Sequence, residues 1–211
     1  MKKTIFICIL FGLMDKSLSA QQWNIRYSVR LGGNLPYYAL SNINNNTSRV
    51  ASKKVGFTVT GLVEASTARY FAIQSGISFQ QLGSQLDYSE FGNTPVKQHT
   101  FWLQLPVNFV GKLPLKGSSY FFLSMGPYGG FGLMGSNSFA SNYTGNREDF
   151  TFGDSGSQKR FDYGVNLHFG YQLKKGYNLS AGYLLGLADL STSSRYEQRN
   201  RAWAFTVGYS F

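Results

Sequence analysis

Strict alternation of apolar and polar side chains is the feature of this chain that most limits its fold. In FDYGVNLHFGYQL, residues 161–173, every second residue is apolar, and the residues between them are polar or glycine. The final stretch, AWAFTVGYSF at residues 202–211, repeats the pattern and ends on an aromatic residue. A period of two residues is the signature of a β-strand with two chemically different faces. The chain is therefore predicted to be all-β.

Eight segments carry this alternation, and the connections between them differ in length in a regular way. The connections after the second, fourth and sixth segments are short, whereas the others are long and polar. Short turns at one end and long loops at the other are typical of outer-membrane β-barrels. We therefore predict an eight-stranded antiparallel up-and-down transmembrane β-barrel of the outer-membrane type. The eight segments are 23–31, 54–65, 70–81, 99–110, 119–134, 161–173, 177–190 and 201–211.

Lipid is the solvent that best explains the composition of these strands. In hydrocarbon every backbone N–H and C=O group needs an internal partner, so a sheet spans a bilayer only when it closes. The chain contains 18 Phe, 14 Tyr and 3 Trp residues, and many stand near strand ends, as the aromatic girdles of membrane barrels do. A soluble barrel of the lipocalin type, with apolar side chains inside, has the same alternation and stays open as the structural alternative.

The first twenty residues, MKKTIFICILFGLMDKSLSA, have the composition of a secretory signal peptide. Two lysines precede an apolar run, and small residues follow where cleavage would occur. The apolar run is too short to cross a bilayer as a helix. We expect residues 1–20 to be removed on export and residues 21–211 to form the barrel domain. The one cysteine, Cys8, lies in the predicted leader, so no disulfide is expected in the barrel.

Two prolines interrupt the predicted strands. Pro106 and Pro127 both stand within segments of regular alternation. Proline has no N–H group to donate to a ladder and normally occupies edges or bulges, and a closed barrel has no edges. We therefore expect local β-bulges at both positions.

Several strand segments together resemble one known family. The stretches YFAIQSGISFQQLGSQ, FWLQLPVNFVGK, GPYGGFGL, DYGVNLHFGYQL and NRAWAFTVGYSF occur in the order found in the PorT-type outer-membrane β-barrel family. These are the small porin-family barrels of Gram-negative bacteria. The resemblance implies an integral outer-membrane barrel and no catalytic motif. It also implies that the closing strand, with Phe205, Tyr209 and Phe211, carries the signal that the barrel-assembly machinery recognises.

A set of charged side chains has inward parity on the predicted strands. Its members are Arg26, Arg30, Glu64, Asp162 and His168. Antiparallel pairing of the first two strands brings Arg26 near Glu64. Charges inside a narrow barrel must pair or be hydrated. We interpret the set as a polar network that fills the lumen, and a narrow selective path for ions or small solutes is the alternative.

The long loops are the predicted interaction surface, because long loops carry binding in many proteins. The two longest run over about residues 33–52 and 135–159. Their candidate contacts with an envelope or extracellular protein partner are Tyr37, Tyr38, Tyr143 and Arg147.

Basic residues near the same rim are candidates for contacts with phosphate groups of lipopolysaccharide, because charge-assisted hydrogen bonds to phosphate are strong. These residues are Arg49, Lys53, Lys54, Arg199 and Arg201.

Charge and composition narrow the function classes. The net charge is +10, but the basic residues are scattered and form no patch of the kind that binds nucleic acid. The two histidines are separated in the sequence and no cysteine follows the leader, so we expect no metal site, no cofactor and no catalytic residues. We predict a non-enzymatic outer-membrane barrel with a structural or binding role. A small porin-like channel is the alternative, and a lipid or peptide hydrolase at the rim is the third hypothesis.

Overall fold

The computed structural model describes residues 23–42, 47–66, 69–88, 94–139, 147–153 and 156–211. The predicted signal peptide, residues 1–20, lies outside the described residues. The described chain forms eleven strands and one short 3-10 turn, Lys116–Ser118. The strands are β1 Asn24–Asn42, β2 Thr47–Val50, β3 Gly56–Ser66, β4 Phe71–Leu82, β5 Gln85–Tyr88, β6 Thr94–Pro114, β7 Tyr120–Phe139, β8 Arg147–Phe150, β9 Phe161–Gln172, β10 Tyr177–Gly186 and β11 Tyr196–Ser210.

Eight of these strands form a closed antiparallel ring. The ring runs in the order β1, β3, β4, β6, β7, β9, β10 and β11, and β11 pairs with β1. Each of the short strands β2, β5 and β8 lies in a long loop and pairs with a ring strand, β1, β6 and β7 respectively. The prediction of an eight-stranded up-and-down barrel is thereby confirmed.

The closure between β1 and β11 is continuous over the whole length of the last strand. Pairing runs without a shift from Ser28 opposite Ser210 to Asn42 opposite Tyr196. Beyond the last pair, the backbone N–H of Phe211 donates to the carbonyl of Tyr27 at 2.8 Å. The aromatic residue at the end of the sequence is therefore hydrogen-bonded into the sheet.

The two ends of the barrel differ as the loop lengths predict. One end, called here the turn end, holds three tight connections, after Ser66, after Pro114 and after Gln172. Gly117 and Gly176 adopt φ values of 78° and 92° in two of these turns, which glycine tolerates without a steric cost. The opposite end, called the loop end, holds the four longer connections.

The two faces of the sheet have opposite chemistry. The outward residues of β6 form an unbroken apolar row from Phe101 to Leu113, apart from Gly111. At ~3.3 Å per residue and a tilt of ~40°, that row covers about 30 Å, the thickness of a hydrocarbon layer. Inward positions of the same strand include Gln104 and Asn108, both buried. Apolar side chains therefore face lipid, and the lipocalin-type alternative is wrong.

No helix in the described part of the chain has the length and apolarity that a membrane-spanning helix requires.

The ring strands extend further toward the loop end than the sequence pattern predicts. The stretch that contains Tyr37 and Tyr38 was predicted as loop, but it belongs to β1, where these residues pair with Arg201 and Asn200. Gly32, Gly33 and Pro36 interrupt the alternation there, so the strand signal is lost although β11 supplies a full ladder of partners. Tyr37 and Tyr38 are strand residues, and their assignment to a loop is corrected.

The expected bulges at the prolines are absent from the described ladders. Pairing of β6 with β7 keeps one register from Trp102 to Pro114, and Pro127 pairs in register with Val165 on β9. The bulge lies elsewhere, between Phe101 and Trp102, where Leu133 is the extra residue on β7. Leu133 and the residue after it both face outward, which reverses the face assignment beyond this point.

A charge on the lipid face tests the position of the membrane. Val107 lies midway along the outward row of β6 and is 45% exposed, and Leu113 lies at the turn end of the same row. We expect Val107→Arg to lower the free energy of unfolding in lipid vesicles by ~2–4 kcal/mol and Leu113→Arg by ~0–1 kcal/mol. Denaturant titration followed by Trp fluorescence measures both. Equal costs for the two variants would contradict the assigned bilayer midplane.

Candidate functional site

The lumen is the candidate site, because the inward side chains of all eight ring strands converge there. Two clusters fill it. The first lies toward the turn end and is rich in charge, and the second lies toward the loop end and combines apolar side chains with one buried carboxylate.

The turn-end cluster centres on Glu64 of β3. The Glu64 carboxylate accepts a hydrogen bond from the Lys112 ammonium at 2.6 Å, and both side chains are nearly buried. Gln74 donates to the second carboxylate oxygen at 3.5 Å. The Arg26 guanidinium donates to the Tyr120 hydroxyl at 2.6 Å. These contacts join strands β1, β3, β4, β6 and β7 across the barrel.

Arg30 lies deeper in the lumen than Arg26. It is only 8% exposed, and its guanidinium stands 5.0 Å from the centre of the Phe122 ring. Its aliphatic stem covers Gly208 of β11, where a Cβ would clash with it. A cation over an aromatic ring is attracted by the quadrupole of the ring, so Phe122 provides part of the environment of this buried charge.

The predicted polar network divides between the two clusters. Arg26 and Glu64 stand opposite each other in the β1–β3 register, but the ion pair of Glu64 is with Lys112. His168 lines the middle of the lumen together with Arg30. Asp162 belongs to the loop-end cluster, away from the other four residues.

The loop-end cluster surrounds the Asp162 carboxylate. Its Oδ2 atom accepts hydrogen bonds from the Tyr128 hydroxyl at 3.0 Å and from the Asn200 amide at 2.9 Å. Buried apolar side chains from four other ring strands and from the loop between β10 and β11 pack with Tyr128 in one contiguous core. They are Leu82, Trp102, Leu184, Ala188, Leu190 and Ala202.

The loop between β7 and β9 contributes aromatic side chains to this core. The Phe152 ring meets the Trp102 ring edge to face, with centroids 5.2 Å apart. Phe152 occupies space that a side chain at Gly132 would fill, and Phe150 does the same at Gly135. Tyr38 of β1, opposite Asn200 in the β1–β11 register, is also fully buried. Phe150, Phe152, Trp102 and Tyr38, called here the aromatic plug, lie at the loop end of the barrel.

The position of Tyr38 overturns its prediction as a loop contact. Its side chain is 0% exposed because even-numbered positions of β1 face the lumen. Tyr37 faces the other side, and its hydroxyl is hydrogen-bonded to the Tyr183 hydroxyl at 2.9 Å. Tyr143 lies outside the described residues, and for Arg147 the structure describes the backbone, in β8.

A small polar cavity remains between the two clusters. Its volume is about 50 Å³, several times the ~10–15 Å³ that one water molecule needs. Its polar walls come from Arg30, Gln74, Gln104, Asn108 and His168. The cavity is far too small for a sugar, peptide or lipid substrate.

A basic cluster lies on the outer surface at the loop end. Lys54 contacts the Nδ1 atom of His99 and the carbonyl of Gln98, and Gln81 is 3.0 Å from the same imidazole nitrogen. Burial lowers the pKa of Lys54 to about 8, and the charge of Lys97 adds to that effect. Lys53 stands over the Tyr37 ring at 5.7 Å.

Three outward phenylalanines stand directly below this basic cluster. The ring centroids of Phe57, Phe79 and Phe101 are 5.8 to 6.3 Å apart. His99 and Lys97 are the next two outward residues of β6 from Phe101 toward the loop end, because every second residue of a strand faces outward. The surface therefore changes from aromatic to cationic within one step along the barrel wall.

The residues predicted as an assembly signal also face outward. Phe205, Tyr209 and Phe211 are 57%, 40% and 75% exposed. The Tyr209 ring packs edge to face on Phe211 and on Tyr177. The three residues form part of the aromatic surface at the last strand.

Several residues of the site were missed by the sequence analysis. Lys112 has inward parity two positions after Val110, but it lies in the short connection predicted after the fourth segment. Tyr128 and Asn200, the partners of Asp162, carry no signal of their own, because alternation does not show which inward residues meet. Gly132 and Gly135 could have indicated the inserted aromatic residues, because two inward glycines on one strand leave space for bulky side chains from other segments. Among the described residues there is no group of His, Cys, Asp and Glu suited to a metal ion.

Comparison with known proteins gives one family match. The sequence model described as "outer membrane protein beta-barrel domain" matches residues 19–192. No curated protein matches the chain.

Solved structures with a similar strand arrangement have low sequence identity. Ail, the attachment invasion locus protein of Yersinia pestis, is 13% identical, with 88% of this chain and 98% of that chain covered and a TM-score of 0.45. OprG from Pseudomonas aeruginosa is 14% identical, with coverages of 88% and 95% and a TM-score of 0.42. Neisserial surface protein A is 12% identical, with coverages of 87% and 95% and a TM-score of 0.43.

Removal of Glu64 and removal of Lys112 are expected to have unequal effects. Glu64→Gln leaves three cations at the turn end without their carboxylate, and we expect a loss of ~3–5 kcal/mol of unfolding free energy. Lys112→Met leaves Arg26 opposite Glu64 and is expected to cost ~1 kcal/mol or less. Denaturant unfolding in vesicles measures both variants. A larger loss for Lys112→Met would contradict the central role of Glu64.

Proposed function

This chain belongs to the outer membrane protein β-barrel domain family, and from that premise we propose that it is a non-enzymatic barrel with a closed lumen that acts by binding at its loop end. The observation that carries the proposal is the filled interior. Charged and polar groups occupy the turn end, the aromatic plug occupies the loop end, and only about 50 Å³ remains between them. Eight strands enclose just enough space for side chains.

The filled interior supports a binding role over a transport role. A conducting pore needs a continuous water-filled path. Here the inward side chains of Trp102 and Tyr38 are fully buried, which supports a lumen without such a path. The surface that remains for function is the outer wall and the loop end. A small porin-like channel is the alternative function, and a lipid or peptide hydrolase at the rim is the third.

The phosphate groups of lipopolysaccharide are the proposed ligand of the outer wall. Lys54 and Lys97 are cationic side chains that lie with His99 just above Phe57, Phe79 and Phe101. A phosphorylated glycolipid has acyl chains that contact aromatic side chains and phosphates that accept hydrogen bonds from lysine. No salt bridge to an acidic side chain is found for these two lysines in the described chain, so their charge is available to a phosphate.

We also propose how the chain is exported and how it is assembled into the membrane. Residues 1–20 act as the signal peptide, and the outward aromatic residues Phe205, Tyr209 and Phe211 of the closing strand contact the barrel-assembly machinery. Within this family, we propose that the chain is a PorT-type barrel, on the resemblance of its strand segments. An envelope or extracellular protein partner would dock on the long loops.

Electrical recording tests the closed lumen. Purified protein inserted in planar bilayers is expected to give no steady single-channel steps, because the aromatic plug and the turn-end cluster leave no continuous water path. Protease digestion of the loops in vesicles from the same preparation verifies insertion. Steady steps of uniform size in inserted wild-type protein would sink the closed-lumen proposal and favour the channel.

The depressed pKa of Lys54 predicts how lipid binding depends on pH. Lys54 carries its charge below its pKa of about 8 and loses it above, so affinity for lipid A in detergent micelles should fall between pH 7 and pH 9.5. The loss of one lysine charge at a membrane surface corresponds to ~1 kcal/mol, or about fivefold in affinity.

Two controls isolate the effect of this side chain. Lys54→Arg stays charged through the same range and is expected to show no such fall. Dephosphorylated lipid A is expected to bind weakly and without pH dependence. If the wild type and Lys54→Arg lose affinity equally, Lys54 is not a phosphate ligand.

A further inference from the structure

The middle of the lumen contains a buried guanidinium without a carboxylate partner. Arg30 is 8% exposed, and none of the salt bridges in the described chain includes it. Its Nε atom has no hydrogen-bond partner there. An ionised group removed from water is costly unless it is paired and hydrogen-bonded. Arginine stays protonated in proteins, so this charge needs a counter-charge rather than neutralisation.

The nearby acidic group does not supply that counter-charge in full. Within the described strands, the turn end has one inward carboxylate, Glu64, for three inward cations, Arg26, Arg30 and Lys112. One carboxylate oxygen of Glu64 forms a salt bridge with Lys112 at 2.6 Å, and the other accepts a hydrogen bond from Gln74. The cluster therefore has an excess of two positive charges.

The cavity beside Arg30 has walls suited to an anion. In the part of the chain that the structure describes, no Asp or Glu lines it, and its polar lining consists of Arg30, His168, hydroxyls and amides. Neutral N–H and O–H donors around one cation bind an anion without the repulsion that a carboxylate would add.

Three nitrogen atoms of the cavity wall lack hydrogen-bond partners within the described residues. They are Arg30 Nε, Gln104 Nε2 and His168 Nδ1. The first two are donors, and the imidazole nitrogen donates in one neutral tautomer. Asn108 Oδ1 is also without a partner, and a half-turn of that amide presents its NH₂ group instead. Such buried donors are expected to be satisfied in a native protein.

We propose that this cavity is a binding site for one small monovalent anion of halide size, held by Arg30, Gln104 and His168. The volume of about 50 Å³ accommodates one such ion with a water molecule, since one water needs ~10–15 Å³. The ion supplies the negative charge that Glu64 cannot provide to all three cations, and it is a structural ligand, enclosed by the aromatic plug.

Bromide identifies the ion directly, because it scatters X-rays anomalously and resembles chloride. Wild-type protein crystallised with sodium bromide as the sole halide is expected to show an anomalous peak inside the cavity, within contact distance of Arg30 Nε. Electron density for water at that position without an anomalous peak would overturn the proposal.

Thermal unfolding in detergent tests the same site in solution. At equal ionic strength, replacing sodium gluconate by sodium chloride should raise the wild-type midpoint in a saturable way, because a ligand that binds only the folded state stabilises it. Gluconate is too large for the cavity. A wild-type midpoint that depends on ionic strength alone, and equally in both salts, would overturn the proposal.

Two variants distinguish the cavity from the other cations. Arg30→Met is expected to lose the difference between chloride and gluconate, whereas Arg199→Met, which removes a partly exposed cation paired with Glu197 away from the cavity, is expected to keep it. Retention of the full difference in Arg30→Met would refute the site. Where Arg30→Met does not fold, Gln104→Leu replaces it, with a reduced difference expected, and the bromide peak in the wild type stays decisive.

Discussion

The demand of the peptide backbone for hydrogen-bond partners in hydrocarbon governs this structure. A sheet that lies in lipid leaves no edge group unpaired only when its first and last strands meet. The ladder between β1 and β11 meets that demand along the full length of β11, and the bond from Phe211 to Tyr27 extends it by one step. Closure then fixes the alternation, because each side chain must face either lipid or the narrow interior.

The interior follows from the small circumference of an eight-stranded ring. Both the polar part and the apolar part of the interior fill a narrow space with side chains, and in both parts a buried charge needs partners. At the loop end, the buried carboxylate of Asp162 accepts hydrogen bonds from Tyr128 and Asn200 and is enclosed by aromatic and aliphatic groups. At the turn end, the carboxylate of Glu64 is the counter-charge for three inward cations, and this excess of positive charge is the basis for the proposed anion. The proposed binding function is accordingly assigned to the outer wall and the loop end.

The fold was predictable because alternation with period two and alternating loop lengths are local signals that each strand carries by itself. The extension of β1 through Tyr37 and Tyr38 was not predictable, since Gly32, Gly33 and Pro36 hide the pattern and only pairing with β11 reveals it. Contacts across the lumen were equally hidden. Inward parity identifies Glu64, but the choice of Lys112 as its partner depends on the register of strands far apart in sequence, and the insertion of Phe152 against Gly132 depends on the path of a loop.

The register between the first and last strands also has a kinetic consequence. One side of β1 has no partner until β11 has been synthesised and brought to it, so the costliest loop closure comes last. Until then the half-formed sheet exposes unpaired strand edges and an apolar outer face, and both promote aggregation. In a chain of this topology the pairing of β1 with β11 removes the last two unpaired strand edges, so protection from aggregation matters most before that step.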